Sequence, residues 1–341
     1  MTEKTPNPGI VTAMTVSGPI EPTRLGLTLM HEHIYASTLV TNRMTGLLID
    51  AELMTTEVAR YRAAGGGTIV ELSCGELAVG GSPDPTGRFH GVPDSGYSEH
   101  GTRPVNNVLA LRALSEATGV HLVLGTGHYR QPYYDDNYFD RHTVDQIADR
   151  MVLDLTEGFP GTDVRAGIIG EIGADTWHLT AMEERSFRAA ARASLRTGAA
   201  ISTHACRFPV GIDQLDILEA EGVAPDRVVI GHCDTVFLPE YHLAIARRGA
   251  YVQFDNIRAG HEFDLNRRAD WIVRLVREGH IDQICLSHDI VRNEHLSTYG
   301  GGGYTYLTDS FIPRLLAAGL TEDDVHRITI SNPQRVLSIA A

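Results

Sequence analysis

His31-Glu32-His33 closes a short apolar run. In an extended strand, alternate side chains share a face, so Leu27, Leu29, His31 and His33 are expected together, with Glu32 pointing the other way. Two imidazoles projecting from the end of one strand form half of a metal site. Other apolar runs end in the same manner: Gly167–Glu171 at Glu171, Ala200–Thr203 at His204, Arg227–Ile230 at His232, and Gln283–Ser287 at His288-Asp289. Four neutral imidazoles with carboxylates suit Zn²⁺, and also Mn²⁺, Co²⁺ or Fe²⁺. His31, His33, Glu171, His204, His232 and Asp289 are too many ligands for one tetrahedral zinc that keeps a position open. They fit two ions about 3.5–4 Å apart that share a carboxylate and a hydroxide. Asp289 is then both ligand and general base. His288 faces away from Asp289 in a strand and is the poorer ligand.

These residues need a scaffold that brings separate strand ends to one place. Eight apolar runs recur along the chain: Leu25–Met30, Thr68–Leu72, His121–Gly125, Ala166–Ile169, Ala200–Thr203, Arg227–Ile230, Tyr251–Phe254 and Gln283–Ser287. Helical patterns separate them, and several close at glycine, as Val108–Thr118 does at Gly119 and Trp271–Val276 does at Gly279. Alternating strands and helices of this number imply an α/β fold, a (β/α)8 TIM barrel formed by one domain over residues 1–341. An open doubly wound sheet would want a Gly-rich phosphate loop after its first strand, and the sequence has none there. Residues 73–104, rich in Gly, Pro, Ser and Asp, read as a long loop insertion after the second strand, on the active-site face.

The chain has 341 residues and a net charge of −14. That balance argues against nucleic acid and an anionic membrane surface as partners, since both want clustered Lys and Arg. Apolar residues make up 43%, enough for a large core. The four cysteines form no CxxC pair and read as free thiols of a cytoplasmic protein. No signal peptide and no run of the length a spanning helix needs is evident.

Taken in order, His31-x-His33, Gly167–Gly173, Thr203-His204, Gly231-His232-Cys233-Asp234 and Ser287-His288-Asp289 resemble the phosphotriesterase family of the amidohydrolase superfamily, over about residues 10–338. The resemblance extends to Gly300–Tyr306 and the region Glu322–Pro333. It implies a homodimeric (β/α)8 barrel with a binuclear centre, in which His31, His33 and Asp289 hold a buried ion and His204 and His232 a more exposed one. Phosphotriesterases proper and related lactonases bridge the ions with a carboxylated lysine on strand four. Here that stretch has no lysine, and Glu171 matches the phosphotriesterase-related branch, where a glutamate bridges. The expected activity is attack of a metal-bridging hydroxide on a small-molecule carboxylic ester, foremost a lactone, or an amide. Alternatives are organophosphate triester hydrolysis and a non-catalytic metal-binding barrel. His128, Tyr129, Arg292 and His295 are the expected substrate contacts, Arg292 as a clamp for carboxylate or phosphate. Asp234 is a candidate to orient an imidazole.

Overall fold

The computed structural model describes residues 11–42, 45–80 and 101–340. Eight parallel strands stand side by side in chain order: β1 (Leu27–Glu32), β2 (Gly66–Glu71), β3 (His121–Thr126), β4 (Ile168–Ala174), β5 (Ile201–Ala205), β6 (Val228–Gly231), β7 (Tyr251–Phe254) and β8 (Ile284–Leu286). All eight expected strands are present. Hydrogen bonds beyond the strand ladders carry the ring from β8 back to β1. Asp289 N–H donates to the His31 carbonyl (3.1 Å), and His31 N–H donates to Ser287 Oγ (2.9 Å). The buried Glu32 carboxylate accepts from the backbone N–H groups of His288 (2.8 Å) and Ile290 (3.0 Å). This is a (β/α)8 barrel.

The helices α1 (Ala51–Ala63), α2 (Val105–Thr118), α3 (Val144–Thr156), α4 (Ala181–Thr197), α5 (Gly211–Ala220), α6 (Pro239–Arg248), α7 (Glu262–Arg277) and α8 (Ile312–Ala317) surround the strands. Their ends follow side-chain chemistry. Asp50 accepts from Leu53 N–H to start α1, Thr180 and Glu183 form a reciprocal capping box on α4, and Gly119 adopts φ 70° after α2.

Alternation along the strands divides the core in two. Val70, Val123, Ile168, Ala200, Val229 and Cys285 fill the barrel interior, while Ile69, Leu122, Ile169, Ile201, Val228 and Ile284 face the helices. Strict alternation fails at two of the places that matter. Leu29 packs outward and Met30 inward, which would aim His31 outward. The pairing of β1 with β2 shifts register between Leu29 and Glu32, and this irregularity turns His31 inward with His33. The expectation that Leu29 and His31 share a face is therefore corrected. A matching shift between Ile169 and Ile172 on β4 turns Glu171 inward. At its centre Gly170 has φ +131°, and a Cβ there would lie 2.2 Å from the Ser202 carbonyl oxygen, so only glycine fits.

Residues 81–100 of the proposed insertion lie outside the described residues. Its two ends belong to the barrel: Ser73 abuts His33, and Arg103 is buried against β2 and β3.

Candidate metal centre

Glu171 is the hub. Its Oε1 lies 3.3 Å from His33 Nε2, while Oε2 lies 3.3 Å from His31 Nε2, 3.0 Å from His204 Nδ1 and 3.3 Å from His232 Nε2. Two triads of potential ligands, His31–His33–Glu171 and Glu171–His204–His232, thus share one carboxylate. Asp289 joins from β8, with Oδ1 3.4 Å from His33 Nε2. All six residues singled out as ligands meet at one point. All but Asp289 have side chains under a tenth exposed.

Two of the six sit in the left-handed region, His232 at φ 56° and Asp289 at φ 55°. That conformation costs on the order of 1 kcal/mol for a non-glycine residue, and His and Asp are among the types that tolerate it. It ends each strand in a turn that throws the side chain across the barrel mouth.

The residues behind the imidazoles set which nitrogen is free. His232 Nδ1 lies 2.8 Å from Asp255 Oδ1, so its Nδ1–H donates there and Nε2 turns its lone pair to the cluster. Asp255 Oδ2 also accepts from His232 N–H (3.0 Å) and lies 3.4 Å from His31 Nδ1. Asp255 follows β7, whose end was not singled out in the sequence. Its signal was the position: a carboxylate one residue past a strand, like the ligands themselves. Asp234, expected in this role, has another. Its Oδ2 accepts from Asn256 N–H (3.0 Å) and Arg268 Nε (2.7 Å), tying the β6 and β7 loops to α7.

The fit to metal is visible in the donor atoms. Nε2 of His31, His33 and His204 is buried and makes no hydrogen bond among the described residues, although carboxylate oxygens lie close to the first two. Buried polar atoms are rarely left so. Nε2 of His31 and Nε2 of His33 converge on Glu171, the arrangement a divalent ion satisfies, whereas His204 faces that carboxylate with Nδ1.

Without a cation the cluster holds protons instead. Burial opposes a charged His33, yet the Asp289 and Glu171 carboxylates beside it outweigh burial and lift its pKa to about 10. His232 is raised likewise, burial being outweighed by Asp255 and Glu171. Burial pushes the Glu171 carboxyl up, but His31, His204 and His232 hold it well below the ordinary range. Metal ligation needs neutral imidazoles, so loading the metal-free protein at pH 7 should release about two protons, from His33 and His232. Affinity should therefore rise with pH. Titration calorimetry in buffers of different ionisation enthalpy counts these protons, and no release would refute the protonated cluster.

Above the cluster opens a cavity of about 310 Å³, bordered by Thr38, Thr41, Tyr129, Cys206, Asn256 and four arginines, Arg130, Arg207, Arg258 and Arg292. Tyr129 stands edge-on to the His204 ring at a centroid distance of 5.0 Å, with its hydroxyl 3.4 Å from Nδ1. Arg130 pairs with Asp175 (3.1 Å). Arg258 Nη1 donates to the Asp289 carbonyl (2.6 Å) and lies 3.7 Å from its carboxylate. His295 sits between Arg258 and Arg292, 3.2 Å from each, and burial and both guanidinium groups push its pKa down to about 3. Arg292 also pairs with Glu294 at 3.2 Å. His128 does not reach this cavity. It is buried behind Tyr129 with Nδ1 2.7 Å from Glu76 Oε1 and its ring against Phe139, because the backbone turns it away from the mouth next to Tyr129. His288 is structural, joining Glu32 Oε1 (2.8 Å) to Leu307 N–H (2.9 Å).

A parallel barrel with imidazoles and carboxylates gathered at the carboxyl ends of its strands defines a class, the metal-dependent barrel hydrolases. Within it, the chain belongs to the phosphotriesterase family, whose model matches residues 102–337. It is 38% identical over 218 residues to the phosphotriesterase homology protein of Escherichia coli, an alignment covering 64% of this chain and 74% of that one. An N-acetyltaurine hydrolase of Danio rerio is 29% identical, with 95% of this chain and 97% of that protein covered. The solved structure of a lactonase from Listeria monocytogenes superimposes with a TM-score of 0.80 at 27% identity, covering 96% of this chain and 98% of that one. No helix among the described residues is long and apolar enough to cross a membrane.

Proposed function

We propose that the chain is a binuclear hydrolase of carboxylic amides or esters, lactones included, whose substrate carries an oxyanion. The observation that carries this reading is Glu171, with its two oxygens divided among four imidazoles at the floor of an arginine-lined cavity. Two divalent ions, Zn²⁺ foremost, would lie between His31, His33 and Asp289 on one side and His204 and His232 on the other, supplying Lewis acidity and a more acidic water. Asp289 takes the proton of the attacking water and passes it to the leaving atom, which only a carboxylate held ionised can do. It is so held: burial opposes the charge, but His33, His232 and Arg258 outweigh it and lower its pKa. Tyr129 walls the cavity beside His204.

The amide and lactone alternatives draw support from relatives named for those activities. The mouth supports the oxyanion. In a chain of net charge −14, Arg207, Arg258 and Arg292 gather at the cavity, and Arg207 has no ion-pair partner among the described residues. Such clustering focuses anions toward the site. A neutral aryl phosphotriester would gain nothing from this polar lining and is the secondary reading.

The test is metal content and turnover together. Purified protein should hold about two equivalents of metal, lose activity to a chelator and regain it with Zn²⁺ or Mn²⁺. N-acetyl-β-alanine should then be cleaved with kcat/KM about 10- to 100-fold above that of its uncharged primary amide analogue, the range of a charge-assisted contact. Equal rates would remove the oxyanion from the proposal, and chelator-insensitive turnover would remove the metals.

A further inference from the structure

Three imidazoles of the cluster have a carboxylate behind them, but the carboxylate of His33 acts through a hydroxyl. His33 Nδ1 lies 2.9 Å from Ser73 Oγ, Ser73 Oγ donates to Glu71 Oε1 at 2.5 Å, and Glu71 Oε2 pairs with Arg103 Nη1 at 2.6 Å. All four side chains are buried. Arg103 is anchored in turn by donating to the carbonyls of Gly125 (2.7 Å) and Glu71 (2.8 Å) and to Asn107 Oδ1 (3.0 Å).

We propose that the relay Arg103–Glu71–Ser73 is a positioning device that fixes the His33 tautomer and so sets the affinity of the His33 subsite for metal. A serine hydroxyl has one proton and two lone pairs. Arg103 occupies Glu71 Oε2, and Glu71 Oε1 accepts from Ser73 Oγ, so the Ser73 proton points at Glu71. Ser73 can then only accept from His33, which places a proton on Nδ1 and makes Nε2, facing Glu171 and Asp289, the nitrogen that a metal would take. The inference rests on the metal reading given above. Neither Ser73 nor Arg103 touches the ligand-bearing face.

Replacing the acceptor reverses the polarity. In Glu71→Gln the amide oxygen stays with Arg103 and the amide N–H turns to Ser73. The hydroxyl must then donate to His33 Nδ1, which leaves the proton on Nε2, where a metal would bind. Ser73→Ala merely removes the constraint.

The experiment measures Zn²⁺ binding to the metal-free full chain by competition with a chromophoric chelator, together with the ¹⁵N-histidine spectrum of the zinc-loaded protein. One of the two equivalents should weaken about 10- to 100-fold in Ser73→Ala, the range for residues that orient metal ligands, and by more in Glu71→Gln. The His33 Nδ1–H proton, protected from exchange in the wild type, should exchange freely in Ser73→Ala. A structural role alone would not move that signal. Both equivalents binding within threefold of wild type overturns the relay. Should Ser73→Ala fail to fold, Glu71→Gln decides by the same criterion. A wild type that binds no zinc overturns the metal reading, and this inference with it.

Discussion

Glu171→Ala should reduce bound metal from about two equivalents to one or fewer and lower kcat/KM by on the order of 10³-fold or more. The size follows from what the side chain joins. Its oxygens lie 3.0–3.3 Å from ring nitrogens of His31, His33, His204 and His232, and it is only 2% exposed, so water cannot replace it cheaply. Removing it would take away the negative charge between two cations, which would then repel each other. In the metal-free protein it would leave the protons of neighbouring imidazoles to repel one another. A pair of bound metals would supply several kcal/mol of transition-state stabilisation, and each 1.36 kcal/mol is tenfold in rate. Glu171→Gln separates charge from shape. The amide fills the same space, so a loss of metal equal to that of the alanine variant assigns the effect to the negative charge. Elemental analysis beside steady-state kinetics reads both. Two equivalents retained in Glu171→Ala would eliminate Glu171 as the shared ligand.

The same residue shows how much was legible in the sequence. The eight strands were, because each buried strand is a short run of Val, Ile and Leu between helical patterns, and a ligand type at the end of several runs implies a common mouth. Orientation was not. Simple alternation from Met30 and Ile168 aims His31 and Glu171 outward, and only register shifts in β1 and β4 turn them in. His232 reaches the cluster through a left-handed backbone. Irregularities of this kind depend on neighbouring strands, so residue types along one strand cannot reveal them. Local sequence rules fail here at the residues that gather for chemistry, as expected where function overrides regularity.

The long-range partners were hidden for a related reason. Asp234 lies two residues from His232 in the chain, yet Asp255 holds the imidazole, because parallel neighbours β6 and β7 place the loop after one beside the end of the other. Sequence proximity favoured the wrong carboxylate. His128 was misplaced by the same logic: a residue just after a strand faces the mouth only if the backbone keeps it there, and Tyr129 takes that place. The Ser73–Glu71–Arg103 relay joins residues on the two ends of a segment whose spacing in sequence says nothing of their contact.

Asp289→Asn should leave metal content near that of the wild type and lower kcat by about 10²- to 10⁴-fold, the range for a positioned acid–base group. The substitution suits the site. Asn, like Asp, tolerates the left-handed backbone at φ 55°, and the carbonyl that receives Arg258 Nη1 at 2.6 Å is unchanged. An amide oxygen can still face His33 and a metal, but it cannot accept a proton. The pH dependence adds a second criterion. Asp289 is held below its ordinary pKa, so in the wild type it is ionised throughout pH 5–9, and its stabilised charge would be lost only as pH falls through that depressed value. The loss in Asp289→Asn should therefore be nearly constant across this window. Turnover within threefold of wild type with both metals in place would show that another group moves the proton. A loss that disappears at high pH would instead point to a base that hydroxide from solution can replace.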